Sequence, residues 1–249
     1  AAISKQLERA YKKRGIAFQT STKFESVTQD EYGVHVTTDK GETIDGDVLL
    51  VAIGRGPVTQ GIGLEEAGVE LDRGFVAVDE HLQTSLKGVY AIGDIVPGLQ
   101  LAHRSYAHGI FVAEHLAGLE PVLVADVNVP KVTYTEPQIA SIGLTEEKAK
   151  EQHGADAIKS YEYNLAGNAK SSILGTAGFA KVVRLVDGPV VGIHMIGARV
   201  GELIGEAQLI VNWEAYPEDV APLIHAHPTQ NEVLGEAMMA IAGRPLHGI

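Results

Sequence analysis

Cysteine is absent from this chain of 249 residues. That absence excludes disulfides, thiolate metal sites and a cysteine nucleophile within these residues. Basic residues are also in short supply, 20 against 32 acidic ones, for a formal net charge of −12. Phosphate contacts need clustered Lys and Arg, so nucleic acid is not expected as a partner. No apolar run reaches bilayer length, and no membrane span is expected. The longest run, Val48-Leu49-Leu50-Val51-Ala52-Ile53, has the length of a strand. The residues up to Arg14 form an amphipathic pattern with Lys5, Arg9, Lys12 and Lys13, without the apolar core of a signal peptide. Export is therefore not expected, and a cytoplasmic location is.

What is present divides into three segments, 1–57, 58–121 and 122–249. The first predicts a helix over Ile3 to Lys13, ended by Gly15. Strands at Lys23 to Thr28 and Val34 to Thr37 follow, then a buried strand at Asp47 to Ile53. This order suits the tail of a nucleotide-binding α/β domain, because the strand running into G-x-G-x-x-G that opens such a domain is missing. The second segment predicts short strands at Val76 to Val78 and Val89 to Ile92. A helix from Leu101 to Leu116 closes it, apolar around so much of its girth that burial is expected. The third predicts a strand between Pro130 and Pro137, then a helix capped by Thr145. Strands at Ala157 to Tyr163, Ala177 to Leu185 and Val190 to Ile196 come next, the last two joined by a hairpin at Asp187-Gly188. Helices at Gly201 to Trp213 and Thr229 to Ala242 finish an α+β unit.

Four stretches could carry chemistry. Gly54 and Arg55 follow an apolar run, at the carboxyl edge of a sheet where α/β folds bind ligands, although an ordinary turn explains them as well. Gly93-Asp94 ends the run from Thr84 through Tyr90-Ala91-Ile92. Glycine there lets a ligand approach the backbone, and the carboxylate can accept hydrogen bonds, unless Asp94 only caps a turn. Leu101-Ala102-His103 opens a helix, whose free N–H groups favour negative charge.

The fourth stretch, His225-Ala226-His227-Pro228-Thr229-Gln230-Asn231-Glu232, has three readings. His225 and His227 could bind a metal, but no third ligand is evident and none is expected. Thr229 and Glu232 could form a capping box for the last helix. Or Glu232 could orient His227 as an acid–base dyad. One glutamate is not expected to serve both the amide and the imidazole fully.

Together and in this order, these elements resemble the pyridine nucleotide-disulfide oxidoreductases, and the segment Val132 to Gly143 is similar to the start of that family's dimerisation domain. Within the family, Leu101-Ala102-His103 and His-Ala-His-Pro-Thr resemble the dihydrolipoamide dehydrogenases. Glutathione reductases share the His-Pro-Thr element but usually lack the first histidine and the Leu-Ala-His element. The resemblance implies a mixed α/β plus α+β fold: the tail of a Rossmann-like NAD-binding domain (1–57), the second part of an FAD-binding domain (58–121) and an α+β dimerisation domain (122–249). It implies FAD near Gly93, Asp94, Leu101, Ala102 and His103, cofactor-binding Gly54 and Arg55 near where the nucleotide halves meet, and NAD as the second cofactor. His227 is implied as the base that takes a thiol proton, and Glu232 as its orienter. A homodimer and the lipoyl domains of 2-oxo acid dehydrogenase complexes are the implied partners. The family's FAD glycine loop, redox cysteine pair and NAD glycine loop are not in these residues. The chain is therefore expected to match half of a member and not to complete a catalytic cycle by itself. A stand-alone dimerisation or assembly module, or another disulfide reductase of the family similar to glutathione reductase, is the alternative.

Overall fold

The computed structural model describes residues 2–247. Helix α1 (Ala2–Lys13) places Lys12 and Lys13 in its last turn, where cations complement the helix dipole. Gly15 follows at φ 74°, a backbone shape that favours glycine and ends the helix where the sequence predicts. Strands β1 (Phe24–Asp30), β2 (Gly33–Thr38) and β3 (Thr43–Gly46) form an antiparallel sheet in that order. His35 ties all three strands together. Its Nδ1 lies 2.7 Å from Asp45 on β3, and its Nε2 lies 3.2 Å from Asp30 on β1.

The expected buried strand at Asp47 to Ile53 is not there. Those residues have no regular structure, and Val48, Leu50 and Ile53 are 84%, 84% and 93% exposed. An apolar run supplies side chains for burial but not the neighbours that would satisfy its N–H and C=O groups. Among the described residues, no strand pairs with it. β3, one turn earlier, is a strand that the pattern does not predict.

The middle of the chain has less regular structure than expected. The strand predicted at Val76 to Val78 shortens to β5 (Phe75–Val76), paired with the unpredicted β4 (Leu71–Asp72), and an isolated bridge from Val78 to Thr84; the strand predicted at Val89 to Ile92 reduces to a single bridge from Gln83 to Tyr90. Val69, Val76, Ala91 and Val96 form a small core beneath them. Helix α2 (Ala102–Leu116) begins where predicted, but it buries only Arg104, His108 and Phe111. Tyr106, Ile110 and Leu116 stay largely exposed. Periodicity marks which residues are apolar, whereas burial needs a second layer, and here α2 is covered along one stripe only.

The C-terminal part supplies its own second layer. Strands β6 (Lys131–Thr133) and β7 (Gln138–Gly143) lead to α3 (Glu146–His153), then to β8 (Ile158–Asn164) and α4 (Ala169–Ile173). Strands β9 (Phe179–Leu185) and β10 (Val190–Gly197) follow, then helices α5 (Val200–Asn212), α6 (Pro217–Val220) and α7 (Glu232–Ile241). The Thr145 hydroxyl accepts from Lys148 N–H at 3.2 Å, so the predicted cap of α3 is formed. The strands make one antiparallel sheet in the order β6-β7-β10-β9-β8, with the expected hairpin between β9 and β10. Strand β7 is absent from the sequence-based expectation, yet it pairs with both β6 and β10.

α5 packs over β7 and β10, and α7 over β8 and β9. Ile142, Val182, Ile193 and Met195 of the sheet meet Leu203, Ala207, Leu234 and Met238 of the helices in one continuous core. Each such large aliphatic side chain contributes about 1.5–3 kcal/mol on burial. α7 starts at Glu232, three residues later than Thr229, the start expected for it. That shift leaves 225–231 as a loop lying across two packed helices.

Candidate active site

His227 stands on the loop between α6 and α7, ahead of a cis His227–Pro228 bond. Its Nδ1 lies 2.8 Å from Glu232 Oε1. The second oxygen, Oε2, accepts from Thr229 N–H at 2.7 Å. The expectation that one glutamate cannot serve both partners is thus overturned, because each partner takes a different oxygen. The capping box is only half formed. The Thr229 hydroxyl donates to Ala226 O at 2.7 Å instead of reaching into the helix.

A carboxylate can only accept, so Nδ1 of neutral His227 carries the proton and Nε2 carries the lone pair. The His227 side chain is 69% exposed, so this lone pair faces solvent. Burial works against the charge on Glu232. The Thr229 N–H and the imidazole outweigh it and hold the carboxyl below its usual range. The arrangement is an imidazole held in one tautomer by an ionised carboxylate and open to solvent.

His225 does not join this pair. Its Nε2 bonds Glu206 Oε1 on α5 at 2.8 Å, so the two histidines spend nitrogens on different carboxylates. Among the described residues no group of three or more potential ligands is arranged to hold a metal.

A second cluster surrounds Gly93 and Asp94, in a tight turn ahead of α2. Gly93 sits at φ 74°, and a Cβ there would lie 2.6 Å from the Ser105 hydroxyl, so a side chain is excluded twice over. Leu101 is the extended N-cap of α2 and offers no side-chain cap, which leaves the first amides, including those of Ala102 and His103, without an acceptor from it. His103 is exposed, and its Nε2 donates to Pro130 O at 2.8 Å, linking α2 to the approach of β6.

Sequence reasoning missed the residues that shape this turn. Arg104 is buried, with Nε 2.6 Å from Asp126 and Nη2 donating to Pro97 O at 2.7 Å. Leu99 N–H reaches the same Asp126 carboxylate at 3.2 Å. His108, one helical turn after Arg104, accepts weakly from Gly93 N–H at 3.4 Å. Burial, and then the Arg104 charge, push the His108 imidazole below its ordinary value, which suits a neutral acceptor. An Arg and a His four residues apart, on one face of the helix, are the signal that could have found them. Gly54 and Arg55 join neither cluster. They are exposed, and nothing lies within 4 Å of a Cβ placed on Gly54.

A family model described as pyridine nucleotide-disulphide oxidoreductase matches residues 1–109, and the model of that family's dimerisation domain matches residues 129–238. The chain belongs to the pyridine nucleotide-disulphide oxidoreductases. It is 37% identical to the mitochondrial dihydrolipoyl dehydrogenase of Pisum sativum, covering 99% of this chain and 50% of that protein. It is 38% identical to a dihydrolipoyl dehydrogenase of Bacillus subtilis, covering 98% of this chain and 53% of that one. The crystal structure of LpdA from Mycobacterium tuberculosis superimposes with a TM-score of 0.89 at 27% identity, over 97% of this chain and 53% of LpdA. The chain thus spans about half the length of the curated relatives it matches.

Proposed function

We propose that this chain supplies the acid–base dyad and the subunit interface of an FAD- and NAD-dependent dihydrolipoyl dehydrogenase. The observation that carries the reading is the divided carboxylate of Glu232, which holds His227 with Nε2 free for a proton. In the proposed reaction, Nε2 takes the proton of a dihydrolipoamide thiol, a poor nucleophile until ionised, and the resulting thiolate attacks a disulfide, forming a mixed disulfide as the old S–S bond breaks and its other sulfur leaves as a thiolate. Glu232 stabilises the imidazolium through Nδ1–H. General-base contributions of this kind are worth roughly 10²–10⁴-fold in rate. The attacked disulfide has to come from residues outside these 249, which contain no cysteine.

Asp94, with the backbone of Ala102 and His103, would hold the flavin. The fit rests on the side-chain-free Gly93 turn and the uncapped start of α2. Bound flavin would carry electron pairs between the dithiol and NAD. NAD as the second cofactor, and a place for Gly54 and Arg55 near where the nucleotide halves meet, rest on family membership. The proposed segments are 1–57 for the NAD domain, 58–121 for the FAD domain and 122–249 for the dimerisation domain. The proposed partners are a second copy of the protein and lipoyl domains. The apolar, exposed Leu223 (61%) and Ile224 (98%), just before His225, suit a site completed across a two-fold axis.

The test is a dihydrolipoamide–NAD assay on the native protein carrying this chain. Flavin absorbance and activity are expected, with His227→Gln losing about 10²–10⁴-fold while retaining flavin. A native protein that forms a stable dimer without flavin or turnover would favour an assembly module instead.

A further inference from the structure

The dyad is not the only carboxylate–imidazole pair on this loop. Glu206, midway along α5, uses both of its oxygens on the segment that carries His227. Oε1 bonds His225 Nε2 and Oε2 accepts from Asn231 Nδ2, each at 2.8 Å. His225 precedes His227 by two residues and Asn231 follows it by four, so one carboxylate grips both ends of the loop. Glu232 grips its middle, at His227 and Thr229. The His225 ring also rests on α7, where a Cβ on Gly235 would lie 2.7 Å from Nδ1.

Two further side chains hold the backbone between these ends. Buried Asn168 donates to Thr229 O at 3.0 Å, and buried Gln230 donates to Ala198 O at 2.9 Å. The His227 side chain itself is 69% exposed. Its placement against Glu232 therefore depends on how well the loop is held. Small displacements of a reacting group are costly in rate, and supporting hydrogen bonds are the usual safeguard.

We propose that Glu206, through His225 and Asn231, is a positioning residue for His227, and that His225 itself takes no part in proton transfer. The proposal rests on the dyad reading above. It predicts that breaking the outer grip loosens the inner bond, so that the His227 ring no longer keeps its proton on Nδ1.

The experiment reads the tautomer of His227 directly, by long-range proton–nitrogen correlation spectra of the ¹⁵N-labelled whole chain at alkaline pH. In the unmodified chain, the Nδ1–H form is expected to dominate. Glu232→Ala, which removes the acceptor altogether, is expected to return the ring to the mixture found for free imidazole. If it does not, the dyad reading fails and this proposal falls with it. Given that control, Glu206→Gln and Asn231→Ala are both expected to move the ring part of the way to the mixture, with far-UV circular dichroism unchanged. No shift in either variant overturns the positioning role and leaves the dyad standing. A shift in only one of them also overturns it. Glu206→Gln acting alone would be an effect of lost charge, and Asn231→Ala acting alone would be an effect at the start of α7. If Glu206→Gln does not fold, His225→Gln, which keeps a donor toward Glu206, is expected to preserve the tautomer that His225→Ala loses. Equal loss in both would overturn the proposal.

Discussion

The two ends of this chain carry similar apolar sequence patterns and put them to different use. Residues 131–247 fold a five-stranded sheet beneath α5 and α7, and Ile142, Val182, Ile193, Met195, Leu234 and Met238 are fully shielded there. Residues 24–53 fold a three-stranded sheet in which β1 and β3 are exposed along their length, and Val48 to Ile53 lie in the open. Both regions have β-branched strands and glycine turns. Only the first returns helices over its sheet, and the density of a protein interior is reached only with two facing layers. The dyad hangs from the region that has them.

The contrast predicts its largest effect at Leu234, on the buried face of α7. Leu234→Ala is expected to cost about 3 kcal/mol in urea unfolding of the whole chain, the usual range for a large core residue cut to alanine. A cost below about 1 kcal/mol would mean that this layer is not the stable one.

Glu232→Gln comes next, at about 1 kcal/mol near neutral pH, the usual cost of losing such a link at a helix start. The sign follows from the lowered carboxyl of Glu232. A folded value below the unfolded one stabilises above the unfolded value of about 4.3, and that stability is lost as pH falls through the folded value. The gap between the two proteins should therefore close on acidification below about pH 4. A gap that widens there would contradict the assignment of Glu232 as an ionised partner.

In the exposed sheet the pH dependence should run the other way. Hydrogen bonding of the ring to the Asp45 carboxylate, and then to that of Asp30, raises the His35 imidazole above its ordinary value. Its contribution is complete below about pH 6.5 and is lost as pH rises through the raised folded value. Asp30 sets the acid limit, because its own lowered carboxyl must stay ionised. Amide exchange at Val34 and Val36 should accelerate across that rise, and His35→Gln should flatten the profile. An unchanged profile in the variant would assign the pH response to some other group.

The smallest effect is expected at Leu50, which is 84% exposed. Leu50→Ser should leave stability within about 0.5 kcal/mol, as substitutions at open positions do. A cost near that of Leu234→Ala would show that 47–53 is covered in solution and would erase the contrast.

Much of this was readable before the fold. α1 and its glycine stop, the Thr145 cap and the Asp187–Gly188 hairpin follow from local chemistry, and each lies where the sequence predicts. The six-residue span from His227 to Glu232 was readable too, since a loop and one helical turn bring such positions together. β7 escaped notice because Gln138 to Gly143 is a mild alternation whose identity depends on the two strands beside it. Arg104 and Asp126 escaped because they lie 22 residues apart along the chain, and Glu206 because its partners lie 19 and 25 residues away.

The sequence by itself determined the local elements, the lack of any thiol and the presence of a histidine with a carboxylate in reach. Those properties belong to one residue or to neighbours a turn apart, and backbone geometry connects them without help. Only the tertiary structure decided that Glu232 divides its oxygens between Thr229 and His227, that Glu206 holds both ends of their loop, and that 47–53 is left uncovered. Each of these turns on which surfaces meet, and that is settled when helices and sheet pack.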